Sequence, residues 1–129
     1  MELLHTFYDI LEHTAPTEGE GDAVYRIVLH PDSPIYRAHF PGRPITPGAC
    51  IIQIVQELSQ RHFADSSLQV RHLGAVKFLA LLEPQHHPTV EVVLSGNPDH
   101  LQATVRDGSL LFARLTLALF TITNYRIKE

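Results

Sequence analysis

The chain has 129 residues, of which 44% are apolar and 19% charged, and its net charge is −4. This composition predicts one compact domain that spans residues 1–129 and has its own hydrophobic core. It excludes a disordered chain, and there is no basic stripe of the kind that binds nucleic acid.

The compartment is predicted from features that the sequence lacks. A single cysteine allows no internal disulfide and fits a reducing environment. The N-terminal residues show no signal peptide. No apolar run approaches the roughly 20 residues that a membrane span needs, since Arg114 interrupts the longest one. We therefore expect a cytoplasmic protein.

The first third of the chain contains one predicted strand and one segment whose pattern fits both helix and strand. Residues 3–13 carry apolar side chains at helical spacing, but the pattern does not decide between helix and strand. The glycines of Pro16–Gly21 indicate a turn. Asp22–His30 alternates apolar and polar residues and is predicted to be a strand. Pro31–Pro34 ends that strand.

The segment His39–Gly48 differs from the rest of the chain. Three prolines and two glycines fall between Pro41 and Gly48. Proline fixes φ and keeps the preceding residue out of the α conformation, so a stiff, bent loop is expected. The residues that follow, Ala49–Gln60, predict a helix of about four turns. Its polar face holds the residues Gln53, Gln56, Glu57 and Gln60.

The remainder of the chain is predicted to be strands joined by turns. Leu68–Leu82 has the composition of a long strand, and Glu83–Pro88 that of a turn. Asp107-Gly108 suits a two-residue hairpin turn. The other predicted strands are Thr89–Ser95, rich in β-branched residues, His100–Arg106 and Ser109–Thr123.

These elements predict an α+β fold, in which a curved antiparallel sheet of about six strands, in meander-like succession, wraps around one long helix. Sheet edges need cover. Side-by-side pairing of two such sheets would supply it, so we expect a homodimer or a larger even assembly.

The loop and the helix together indicate an acyl-handling site. The first N–H groups of a helix lack internal partners and carry partial positive charge, so they can polarise a thioester carbonyl. His39 is the one side chain of the loop that can move a proton near neutral pH. From composition alone, a structural corner beside a solvent-exposed helix face explains the same pattern.

The motif H-F-P-G-R-P-I-T-P-G, followed by an apolar helix, closely resembles the 3-hydroxyacyl-(acyl carrier protein) dehydratases of the hot-dog fold, whose signature is H-F-P-G-x-P-x-x-P-G. Weaker similarity covers residues 7–122 and makes Phe7–Thr14 the first strand. The resemblance implies that His39 is the catalytic base and that the Gly48 N–H meets the thioester. The other residues that it places at the substrate are Phe40, Gly42, Pro47 and Ala49.

The same resemblance implies an acyl carrier protein as partner, a role in fatty acid or other lipid biosynthesis, and no cofactor. In that family an acidic residue five positions after the last glycine of the motif acts across a dimer. Here that position is Gln53, and Glu57 stands one turn later, where the dehydratases usually have glutamine. The two residues look exchanged.

Three functions are compatible with this exchange. The chain is a dehydratase in which Glu57, or a water held by Gln53, acts as the acid. Alternatively it is the weak or inactive subunit of a heteromeric dehydratase, paired with another hot-dog protein. A thioesterase is the third reading, and the histidine of the loop argues against it.

Other residue types are weaker candidates. Arg37 and Arg43 flank His39 and are predicted to contact the carrier protein or its phosphate, although solvated loop arginines explain them equally well. Cys50 is predicted to be core filler rather than a nucleophile. No metal site is expected, because adjacent His86 and His87 cannot easily share one ion and no other cluster has ligand spacing.

Overall fold

The computed structural model describes residues 2–16, 21–39 and 42–121. These ranges hold six strands and two helices. In chain order the elements are β1 (Tyr8–Thr14), β2 (Ala23–Leu29), α1 (Pro34–His39), α2 (Gly48–His62), β3 (Leu68–Phe78), β4 (Thr89–Asn97), β5 (His100–Asp107) and β6 (Leu110–Thr121).

All six strands form one antiparallel sheet in the order β1-β2-β4-β5-β6-β3. The predicted α+β class and the number of strands are confirmed. The succession is not a plain meander, because the chain leaves β2 through both helices and β3 before it returns as β4 beside β2. This crossover places β3 at the far edge, paired with β6.

The core lies between α2 and the sheet. The apolar side of α2 is buried through Ile51, Ile54, Val55 and Leu58. Alternate residues of the central strands meet it, as in β5, where Leu101, Ala103 and Val105 are buried and the residues between them are not. Each fully buried aliphatic side chain of this kind contributes roughly 1.5–3 kcal/mol, so the apolar side of α2 is a main source of stability.

Residues 3–13 resolve into two parts. Leu3–Phe7 forms a compact turn, in which the Phe7 N–H donates to the Leu3 carbonyl at 2.8 Å and His5 takes a positive φ of 76°. Tyr8–Thr14 is strand, paired with β2, as the family resemblance implied. The helical spacing in this segment reflects the buried side of the turn rather than a helix.

Three features differ from the sequence prediction. The hairpin turn predicted at Asp107-Gly108 lies one residue later, at Gly108 and Ser109, because Asp107 still pairs with Leu110. Residues 34–39 form the short helix α1, whereas a loop was expected from the break at Pro31–Pro34 through Gly48. The strand predicted to reach Leu82 ends at Phe78, because the chain then turns toward the loop before α2, where the Thr46 N–H donates to the Leu82 carbonyl at 2.8 Å. The predicted last two residues of β6 lie outside the described ranges. No helix within these ranges is both long and apolar enough to cross a bilayer.

Candidate active site

His39 is the last residue of α1, and its ring is exposed on the surface of the single chain. Its Nδ1 lies 3.1 Å from the carbonyl oxygen of Ile35. A carbonyl oxygen only accepts hydrogen bonds, so Nδ1 is the donor in this contact, and in the neutral ring the lone pair then lies on Nε2. This is the tautomer that a general base needs.

Buried aromatic rings pack against the inner side of α1, the helix that carries His39. Tyr36 stacks on Phe7 with ring centroids 4.7 Å apart and an interplanar angle of 19°. The Tyr36 hydroxyl shares a hydrogen bond with Thr46 Oγ1 at 3.0 Å. Burial raises the pKa of Tyr36 well above its usual value, so the hydroxyl stays neutral in this contact. These contacts tie α1 to the loop that enters α2.

Helix α2 begins without a side-chain cap. Pro47 takes the N-cap position with φ −63° and ψ 144°. Its carbonyl accepts from the N–H groups of Cys50 and Ile51. Within the described residues, the N–H groups of Gly48 and Ala49 have no hydrogen-bond partner. The helix therefore presents two donors with partial positive charge.

The ring of Phe78, at the end of β3, lies directly against this helix start. A Cβ atom on Gly48 would stand 2.6 Å from Phe78 Cζ, which is closer than any real contact. Glycine at position 48 therefore allows the ring to approach the exposed amides. The Phe78 side chain itself is 52% exposed, so an aromatic surface beside the helix start faces outward.

Glu57 is buried and fully engaged by hydrogen-bond donors. Its Oε2 accepts from the N–H of Leu3 at 2.7 Å and its Oε1 from the N–H of Leu4 at 2.9 Å. The Tyr8 hydroxyl donates to Oε1 at 3.1 Å, and Gln53 Nε2 donates to Oε2 at 2.8 Å. Burial and the neighbouring carboxylate raise the pKa of Tyr8 far above its usual value, so it remains a donor.

This environment assigns a structural task to Glu57. The carboxylate anchors the N-terminal turn to the middle of α2, and the same turn carries Phe7 under Tyr36. Sequence reasoning did not find this role, because the partners are backbone amides more than fifty positions away.

Gln53, at the position of the family's acid, is half-buried on α2. Its amide nitrogen is committed to Glu57. An amide cannot donate a proton at useful acidity, so the described part of the chain places no acid at this position.

The two predicted carrier contacts have different surroundings. Arg43 forms a two-point ion pair with Glu83, with Nε to Oε2 at 3.2 Å and Nη2 to Oε1 at 3.1 Å. The partnership raises the pKa of Arg43 and lowers that of Glu83. Arg37 is exposed and donates to the Asp32 carbonyl at 3.2 Å, and no carboxylate of the described residues pairs with it.

Cys50 is buried, and burial raises the pKa of its thiol. In the described ranges no three His, Cys, Asp or Glu side chains are grouped to hold a metal. Gly42 lies exposed with φ 85°. Phe40 falls outside the described residues.

The sizeable depressions found among the described residues are not lined by His39. Three depressions of about 510, 430 and 410 Å³ are lined by other residues, mainly on the strands and their connections.

Comparison with known proteins identifies the family. The family model for ApeI-like proteins, described as ApeI dehydratase, matches residues 15–111. No curated protein sequence matches the chain.

Solved structures share the fold at low sequence identity. The dehydratase heterocomplex ApeI:P from Xenorhabdus doucetiae is 21% identical, with a TM-score of 0.67 over 85% of this chain and 95% of that one. An uncharacterized protein from Erwinia carotovora subsp. atroseptica is 18% identical, with a TM-score of 0.69 over 88% and 96%. The dehydratase domain from the CurJ module of the curacin polyketide synthase is 16% identical, with a TM-score of 0.61 over 92% and 45%. Since the family model spans most of its length, this hot-dog chain belongs to the ApeI-like dehydratase family.

Proposed function

We propose that this chain supplies the catalytic base, His39, of a dehydratase for 3-hydroxyacyl thioesters, and that a second hot-dog subunit supplies the acid. One observation carries the proposal. The only carboxylate on the polar face of α2, that of Glu57, is buried under four donors, while Gln53 stands at the family's acidic position. Among the described residues, His39 thus has a ring nitrogen that can act as a base, and no acid stands at the position of Gln53.

The base step follows from the position of the imidazole. Nε2 of His39 takes a proton from the carbon next to the thioester carbonyl, and the electrons of that C–H bond move toward the carbonyl oxygen. The N–H groups of Gly48 and Ala49 stabilise the negative oxygen that develops. Donors of this type are worth about 10²–10³-fold in rate.

The second step needs an acid. As the electrons return to form the carbon–carbon double bond, the C–O bond to the 3-hydroxyl breaks, and a proton converts the leaving group to water. A carboxylic acid is suited to this transfer. The products are a trans-2-enoyl thioester and water. His39 then releases the proton that it took from the substrate, and the partner's acid takes one up from solvent.

Glu57 does not suit the role of this acid. Each of its oxygens already accepts two hydrogen bonds, and their donors belong to the interior of the chain. Glu57 also lies one turn beyond Gln53, about 6 Å along the helix axis. A proton transfer needs contact near 3 Å.

Two observations support the proposed partner subunit and the proposed carrier of the substrate. A structural neighbour of this chain is named as a dehydratase heterocomplex, which favours a heteromeric assembly over the homodimer. The loop motif favours a thioester carried on an acyl carrier protein, and Arg37, which lies on α1 with His39 and has no carboxylate partner within the described residues, would meet that acidic protein. This chemistry belongs to lipid or related acyl assembly.

The test is hydration of a trans-2-enoyl thioester, followed by loss of enoyl absorbance. It is run with the purified chain, with an ApeI-like subunit that carries Asp or Glu at the position of Gln53, and with both together. The proposal predicts turnover by the mixture and none by the chain alone. Turnover by the chain alone would instead support a water held by Gln53 as the acid.

A further inference from the structure

Helix α1, which carries His39, depends for its position on one buried side chain. α1 has six residues, and Tyr36 is the buried one among them. So short a helix is not stable by itself in water, and its place on the protein depends on the contacts of that side chain. His39 follows Tyr36 by three positions, and residues three apart are neighbours on a helix surface. A shift of Tyr36 therefore shifts the imidazole of His39.

Tyr36 is held by two contacts of different kinds. The face of its ring stacks on Phe7 with centroids 4.7 Å apart, and a phenylalanine ring would stack in the same way. Its hydroxyl shares a hydrogen bond with Thr46 Oγ1 at 3.0 Å, and this contact depends on the oxygen alone. Tyr36 and Thr46 are 1% and 5% exposed, so bulk water does not compete for the bond. The hydroxyl therefore fixes the outer end of the ring to Thr46.

Thr46 belongs to the segment that leads directly into α2. Its N–H donates to the Leu82 carbonyl at 2.8 Å. Pro47 follows with φ −63°, and a proline confines the residue before it to extended conformations. Gly48 and Ala49, whose N–H groups are the proposed oxyanion donors, come next in the chain. Thr46 is therefore fixed relative to these donors.

We infer that Tyr36 and Thr46 are a positioning pair, whose hydrogen bond holds the base on α1 at the correct distance from the oxyanion donors of α2. The inference rests on the proposed function. The carbon that loses its proton to His39 and the thioester carbonyl are adjacent in the substrate, so the base and the donors must keep one fixed separation. A misplacement of about 1 Å can cost about 10²-fold in rate.

The simpler explanation is that the bond only satisfies two buried hydroxyl groups. Tyr8 provides the matched control, because it is also fully buried and its hydroxyl donates to Glu57 Oε1 at 3.1 Å. Tyr8 lies on β1 and Glu57 lies on α2, well beyond its first turn. Under the simpler explanation, Tyr8→Phe and Tyr36→Phe have the same effect on the reaction. Under the positioning role, only Tyr36→Phe affects it.

The first experiment needs no activity and measures the tautomer of His39 in the isolated chain. With α1 in place, Nδ1 donates to the Ile35 carbonyl. Without its anchor the short helix loosens, and the ring returns to the Nε2–H form that predominates for histidine in water. At a pH of about 8.5, where histidine is neutral, we expect ¹⁵N NMR to show mainly Nδ1–H in the wild type and mainly Nε2–H in Tyr36→Phe and Thr46→Val. The spectrum of His39→Ala identifies the signals of this ring among those of the nine histidines.

The second experiment measures hydration of a trans-2-enoyl thioester by the assembly with the partner subunit. We expect Tyr36→Phe and Thr46→Val each to lower kcat by about tenfold or more and to leave KM within about twofold, because the substrate still binds while the base is misplaced. The double variant loses no more than either single variant, since both remove the same bond. Thr46→Ser keeps the hydroxyl and retains kcat, and so does Tyr8→Phe.

A wild-type tautomer population in both Tyr36→Phe and Thr46→Val would overturn the inference. An unchanged kcat in both variants of an active assembly, or an equal loss in Tyr8→Phe, would overturn it as well. An inactive wild-type assembly would count against the proposed function instead, and the tautomer of His39 would still decide whether Tyr36 and Thr46 position the ring.

Discussion

The side-chain amide of Gln53 donates a hydrogen bond to the carboxylate of Glu57, with Nε2 and Oε2 2.8 Å apart on adjacent turns of α2. In the dehydratases that the loop motif resembles, the same two residue types stand in the opposite order. In this chain the Glu57 carboxylate accepts hydrogen bonds from the N-terminal turn, and the Gln53 amide stands at the position of the family's acid. The anchor for residues 3–8 thus stands where the resembled dehydratases usually have glutamine.

Replacement of Glu57 by Gln should destabilise the fold strongly. The new amide would point an N–H₂ group at donors of the N-terminal turn, and at least two buried N–H or O–H groups would lose their acceptor. Breaking a buried charged network costs about 3 kcal/mol or more. The measurement is the free energy of unfolding in urea. Glu12→Gln, at an exposed carboxylate, is the control and should change it by less than about 0.5 kcal/mol; equal effects would refute the anchor role.

Replacement of Gln53 by Glu should place two carboxylates in contact at the 2.8 Å amide position. We expect Gln53→Glu alone to be destabilising near neutral pH, and the loss to shrink in acid, where a carboxylate gains a proton. The double variant Gln53→Glu/Glu57→Gln restores one amide–carboxylate contact. A double-mutant cycle on unfolding should therefore give a favourable coupling energy of about 0.5–3 kcal/mol, and strict additivity would contradict the contact.

Much of the fold can be predicted from local pattern. The β-branched run of β4 is read directly from residue type. A hairpin near Gly108 is also predicted from residue type, but its two turn residues are Gly108 and Ser109, one position later than the predicted Asp107-Gly108. The short helix α1 was missed because six residues carry little periodicity, although Ser33 before Pro34 is a typical helix start. The position of β3 at the far edge depends on a crossover, which strand patterns alone do not encode.

The site was predicted only in part. His39 and Gly48 occupy fixed positions of the loop motif, so the sequence is enough to propose them as site residues. The role of Glu57 could not be predicted, since amphipathic spacing puts it on the polar face of α2 while the N-terminal turn covers that face. Likewise the neutralisation of Arg43 depends on Glu83, forty positions away.

Charge reversal of Arg37 should weaken use of a carrier-bound substrate. Arg37 is exposed and has no carboxylate partner within the described residues, whereas Arg43 is paired with Glu83. In the active assembly we expect Arg37→Glu to raise KM for the carrier-bound thioester several-fold, by loss of electrostatic attraction, and to leave kcat on a short free thioester unchanged. Arg43→Ala is the control with a smaller effect. Equal losses on both substrates would contradict a carrier contact.

The thiol of Cys50 should be unreactive. Burial raises its pKa, so the thiolate that attacks alkylating reagents is scarce near neutral pH. We expect iodoacetamide to modify the folded chain at least about tenfold more slowly than the urea-unfolded chain, as followed by mass spectrometry. Cys50→Ala should retain hydration activity in the assembly. Rapid labelling together with loss of activity in the variant would show that the thiol has a chemical role.

The most direct measurement is the rate of trans-2-enoyl thioester hydration by the assembled dehydratase with His39→Ala in this chain, compared with Gln53→Ala in the same assembly. If this chain supplies the base and its partner the acid, His39→Ala lowers kcat by at least about 10²-fold while the assembly stays intact, and Gln53→Ala lowers it far less. Full activity of the His39→Ala assembly, or a loss of equal size in both variants, would contradict the account.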